Sequence, residues 1–158
     1  MAEIVAEIAA VTALFLVVAA GAIDAVRYEI PDAVSIAVVV LAAVFGVLTP
    51  GFGWASHAGA VAVMFAFGLL AFSRGWLGGG DVKLMSAIAG WTGLMQLPLM
   101  FVAVSVSGGV LALVYAVGRR VRSRGGAAVQ ATALPYAVAI AIGTLWWLAA
   151  TGGGPLAR

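Results

Sequence analysis

Apolar residues run along this chain in long continuous stretches, not in the period-two alternation of half-buried strands. Residues 4–24 are interrupted only by Glu7 before Asp24 closes the run. From Ala33 to Ser73 there is no Asp, Glu, Lys or Arg. A helix needs ~20 residues to cross a bilayer, so that run is too long for one crossing and suits two. Thr49-Pro50-Gly51-Phe52-Gly53 supplies the turn between them. A second uncharged run extends from Leu84 to Gly118, with Gln96-Leu97-Pro98 as its natural break. The pattern predicts about six transmembrane helices over residues 4–24, 33–49, 57–72, 82–95, 98–118 and 134–151, an all-α integral membrane protein. Several of these are short, so some ends are expected in thinned bilayer or at a water-filled cavity.

Composition agrees. The 158 residues are 65% hydrophobic and 9% charged, against ~45–50% and ~25% in soluble domains. Six spans would use ~120 residues, which predicts a single membrane-embedded domain over 1–158 with no separate soluble part. Cysteine is absent, excluding disulfides, thiolate-held metals and thiol nucleophiles in this chain, and the single His57 excludes a histidine metal cluster. A net charge of +2 gives no reason to expect nucleic acid as a partner. Glu3 stands where a secretory signal would carry base, so the first apolar stretch is expected to be a retained span.

The few charges set an orientation. Arg27 lies between spans one and two, Arg74 and Lys83 flank the connection from three to four, and Arg119, Arg120, Arg122 and Arg124 lie between five and six. With six spans all seven fall on one side, which the positive-inside rule makes the cytoplasm; both termini are then outside, with Glu3, Glu7, His57 and Arg158. Trp146 and Trp147 would lie near the outer interface.

Two acids adjoin membrane segments on the same side. Asp24 ends the first span and Asp81 opens the fourth. Acids at such depth are costly and usually face a bundle interior. Two apposed carboxylates tend to share one proton, the arrangement of an aspartic protease, which needs no metal or cofactor. Each acid also has a plain structural reading: Asp24 as an i,i+3 partner of Arg27, and Asp81, after Gly78-Gly79-Gly80, as a helix N-cap.

At these residues the chain resembles a known family. Gly78-Gly79-Gly80-Asp81-Val82-Lys83 resembles the GxGD motif of the prepilin peptidases, membrane-embedded aspartic proteases of type IV pilus and related systems. Asp24-Ala25-Val26-Arg27-Tyr28-Glu29-Ile30-Pro31-Asp32 is similar to that family's first-aspartate segment, with Asp32 where Asn is usual. Ala133-Leu134-Pro135-Tyr136-Ala137 is similar to the start of its last span.

The resemblance implies an aspartic endopeptidase of the inner (cytoplasmic) membrane that removes prepilin leaders at the cytoplasmic face, with Asp24 and Asp81 catalytic. Gly78, Gly80, Lys83, Pro31 and Pro135 are the candidates for shaping the site or binding substrate. No metal or cofactor is expected; the implied partners are a prepilin or pseudopilin N-terminal helix and the lipid bilayer. Without CxxC pairs the chain is similar to peptidase-only members, such as those of tight-adherence (Flp-type) pilus systems, and no methyltransferase activity is expected. Lys83, at i+2 from Asp81, should not stand beside it on a helix. The arginine cluster reads as a lipid-facing topology anchor, and His57 as remote from the acids. The rival reading is a small transporter or proton-conducting subunit in which the two acids carry ions.

Overall fold

The computed structural model describes residues 1–124 and 134–153, and of residues 121–124 the backbone only. Among these residues the chain is all helix: α1 (Ala2–Arg27), α2 (Asp32–Leu48), α3 (Trp54–Ser73), α4 (Gly79–Arg124) and α5 (Tyr136–Ala150). By length and composition α1, α3 and α4 can each cross a membrane, while α2 and α5 are apolar but shorter, at 17 and 15 residues. The side chains of Arg122 and Arg124, and Ala133 and Arg158 altogether, lie outside the described residues.

The packing is that of a bundle solvated by lipid. On α1 the buried face is Ala6, Ala9, Ala10, Ala13, Val17, Ala20 and Gly21, while Ile8, Val11 and Phe15 point outward and are more than half exposed. With lipid outside there is little gain in hiding large apolar side chains, and association depends on close backbone approach through small residues. Gly21 is one such place: a side chain there would meet the Ala137 carbonyl and the Ala141 methyl of α5, both at 3.2 Å. Gly143 is a tighter one, with the backbone of Val104 at 2.5 Å from where its Cβ would be. Helix α1 packs on α2 and α5, α4 packs on α2, α3 and α5, and so α4 closes the ring on which α3 lies.

The expected turn at residues 49–53 forms, with Gly51 at φ 75°. The expected break at Gln96-Leu97-Pro98 does not. Helix α4 is interrupted at Gly93 (φ 63°, ψ 173°), a conformation essentially reserved for glycine. Ser56 of α3 caps the restart, its Oγ accepting the Leu94 N–H at 3.0 Å. Pro98 is helical because it comes early in the restarted helix, where the amide it lacks forfeits one backbone bond and does not break a long ladder. Gln96 accepts the Trp147 indole N–H at 3.1 Å.

The chain doubles back at Gly93. On α3, Gly68 touches Val82 before the break and neighbouring Phe67 stacks edge-on with Phe101 after it, 5.1 Å between centroids. Trp147 is 2% exposed, so it is a core residue and not the interfacial anchor expected from its position; Trp146 is exposed.

Gly143→Ala should destabilise the protein by about 1–3 kcal/mol, because the intruding methyl meets backbone that cannot swing aside. Gly118→Ala, with nothing within 4 Å, should be neutral or stabilising. Unfolding in mixed detergent micelles measures both, and equal behaviour of the two variants would contradict the packing described.

Candidate active site

Three chain segments meet at one end of the bundle. Helix α1 ends at Arg27, with Tyr28 as a left-handed cap (φ 55°) whose N–H returns to the Asp24 carbonyl at 2.9 Å. A non-glycine residue in that region costs ~1–2 kcal/mol, and it turns Glu29 and Ile30 sharply across the helix end. Pro31, extended at φ −62° and ψ 130°, caps α2 one residue before the first helical position. Ile30 then lies against Gly80, where a Cβ would approach it to 3.1 Å.

Asp24 faces inward, 6% exposed, and makes no ion pair with Arg27 among the described residues. Its Oδ2 accepts the N–H of Ala137 at 2.9 Å, in the first turn of α5. That turn needs an outside acceptor, since Pro135 caps α5 without a side-chain hydrogen bond. A carboxylate from α1 thus caps α5, where the helix dipole favours negative charge.

Asp81 is half-buried and stands three residues inside the helix start, not at the N-cap position. Its Oδ2 accepts the Gly78 N–H at 3.1 Å, the return half of a capping box. A side chain on Gly78 would come within 2.9 Å of that oxygen.

Asp24 and Asp81 line a single cleft of about 340 Å³ with Tyr28, Glu29, Ile30, Asp32 and Gly78 to Gly80. The charge of Asp24 bears on Asp81, and that of Asp81 on the nearby Tyr136. Among the described residues neither Oδ1 has a hydrogen-bond donor, and both acids line the cleft. Four of the chain's six acids therefore converge here.

Lys83 turns away from Asp81, as its spacing requires. Its Nζ donates to both oxygens of Asp32, at 2.7 and 2.8 Å, fastening the start of α2 to the start of α4. Of the residues expected to shape the site, Gly78 and Gly80 line the cleft, Lys83 and Pro31 hold its rim, and Pro135 starts the helix that Asp24 caps. Glu29 and Tyr28 were not singled out from sequence, although both lie in the segment after Asp24 that carried the resemblance. His57 is elsewhere: it is in the first turn of α3, stacked on Phe52 at 4.0 Å and bonded to the Gly90 carbonyl at 2.8 Å. At 1.5 Å per residue that is roughly 24 Å from the end of α3 that leads to Asp81. Among the described residues no three of His, Asp and Glu are grouped to hold a metal ion.

Comparison with curated proteins and with solved structures gives no match. A sequence model of the type IV leader peptidase family does match, over residues 10–113, well over half of the chain. The matched stretch begins in α1, contains both Asp24 and Asp81, and ends in α4, so that α5 with Pro135 lies beyond it. The length of the match and the apolar helices it spans leave one conclusion: the chain belongs to the type IV leader peptidase family, membrane proteases of prepilin-type substrates.

Proposed function

We propose that the protein is an aspartic endopeptidase of the inner membrane that removes the leader of a prepilin-like substrate at the cytoplasmic face, with Asp24 and Asp81 as its catalytic pair. The observation that carries this reading is the shared cleft, in which two carboxylates from different helices each have one oxygen without a hydrogen-bond donor among the described residues. One carboxylate, ionised, takes a proton from water as that water attacks the scissile carbonyl. The other, protonated, donates to the developing oxyanion. The proton then passes to the leaving amine, and the pair returns to its one-proton state. No step calls on a metal or cofactor, and no cysteine is present to build the CxxC sites of the methylating members, so leader removal alone is proposed.

The proposed topology has six crossings with both termini outside. It is supported by the reversal at Gly93, which divides α4 into a short arm of 14 residues and a longer one, and by the charges. Arg27, Arg74, Lys83, Arg119 and Arg120 all belong to the ends or connections on the side of the cleft. Ion transport is less well supported. A carrier would place its acids near the midplane, whereas Asp24 is in the last turn of α1 and Asp81 in the first turn of α4.

Co-expression with a prepilin tests the pair. Asp24→Asn and Asp81→Asn should insert normally and each lose at least about a hundredfold in leader removal. Asn at 24 keeps an oxygen for the Ala137 N–H; Asp24→Ala removes that cap as well and should cost a further ~1 kcal/mol of stability. Full processing by either Asn variant would refute the pair.

Reporter fusions test the orientation. One within residues 74–78 should report the cytoplasm and one within residues 49–53 the outside; the reverse result would place the cleft on the wrong side for the proposed cut.

A further inference from the structure

Beside the cleft, a groove of about 370 Å³ runs between α2 and the α3/α4 pair. Its walls are mainly apolar away from Asp32 and Lys83, with Val39 and Val40 from α2 and Phe65 from α3 about half exposed along it. One buried polar residue of the wall lacks a partner among the described residues. Ser35 is 5% exposed, and its Oγ is a buried side-chain polar atom with no hydrogen-bond partner among the described residues. Other buried hydroxyls return to their own helix: Ser86 to the Val82 carbonyl, Ser107 to Ala103 and Thr144 to Ile140. At Ser35 the Pro31 carbonyl takes the Val34 N–H at 3.0 Å, and no hydrogen bond from the hydroxyl forms among the described residues. An unsatisfied hydroxyl in an apolar wall is unfavourable unless something else completes it.

The groove and the cleft adjoin at one residue. Asp32, held by Lys83, lines both. Ser35 is three residues farther along α2, about 4.5 Å deeper into the bundle. A polypeptide with its scissile bond at Asp24 and Asp81 and its apolar part in lipid therefore passes Asp32 and then Ser35.

We propose that this groove seats the apolar helix of the substrate immediately after the cut, with the Ser35 hydroxyl capping that helix from outside; the assignment rests on the peptidase reading above. The chemistry fits a peptide and not an acyl chain. A helix that begins just past an unwound scissile segment has four N–H groups without intrahelical partners. Serine is among the residues that best accept from such groups. A lipid tail would fill the same apolar volume but leave Ser35 unpaired. The protein treats its own α5 in the same way, capping that helix from α1 with Asp24.

The test uses the full-length chain in proteoliposomes and a synthetic substrate with a charged leader followed by an apolar helix of ~20 residues, enough to cross the hydrocarbon core. Ser35→Ala should raise KM several-fold, up to about tenfold for one lost hydrogen bond, with kcat and melting temperature held or the latter raised. A photo-crosslinking residue at Val40, introduced together with Asp81→Asn to hold the substrate uncut, should capture the apolar part of the substrate. The same residue at Val114, on the far arm of α4, should not. A wild-type protein that cuts while Val40 captures only lipid, or while Ser35→Ala leaves KM unchanged, overturns the groove and spares the peptidase reading. A wild-type protein that does not cut at all overturns both.

Discussion

The structure depends on how a carboxylate is kept inside a bundle that has lipid on its outside. Asp24 is almost fully buried, and an isolated buried charge is among the most expensive things a fold can hold. It is held because the first turn of α5 presents an N–H that its own helix cannot satisfy. One hydrogen bond of 2.9 Å thus meets two needs and fixes where α5 begins relative to where α1 ends. Gly21 permits it: without a side chain one turn earlier on α1, the backbones of α1 and α5 come close enough for the carboxylate to reach.

Asp81 is held differently, and the difference suits a pair with divided roles. Its support is local, the Gly78 amide three residues back, and it stands half-open to the cleft. The cleft rim is tied from the other direction by Lys83 on Asp32. An exposed ion pair of this kind adds little to stability. Its effect here is geometric: it sets the spacing between the starts of α2 and α4, and so the place where cleft and groove join.

Most of the helices were legible in the sequence because lipid imposes a simple rule, long uncharged runs, and α1, α2, α3 and α5 all fall within a few residues of where those runs predict them. The reversal in α4 was misplaced because proline is the more conspicuous breaker, whereas Gly93 breaks the helix through a backbone angle that only glycine tolerates and that leaves no mark in composition. Trp147 was misjudged for a related reason: tryptophan near a helix end suggests an interface, and only packing against Gln96 shows it to be core. The two acids could be singled out because charge is scarce, and their side of the bundle followed from counting crossings. What spacing could not supply is what each is bonded to. The Ala137 amide lies 113 positions from Asp24 in sequence, Asp32 lies 51 from Lys83, and nothing local in the sequence marks either contact.

The central claim is that Asp24 and Asp81 work as one unit that must hold a single proton between them. The pH dependence of kcat/KM, measured on purified protein in liposomes with a substrate whose own side chains do not titrate in the range, tests it most directly. The account predicts a bell, because activity requires one carboxylate ionised and its partner protonated, with both limbs belonging to the pair. A single sigmoidal limb with a plateau at high pH would mean that one base acts alone, and would contradict the account.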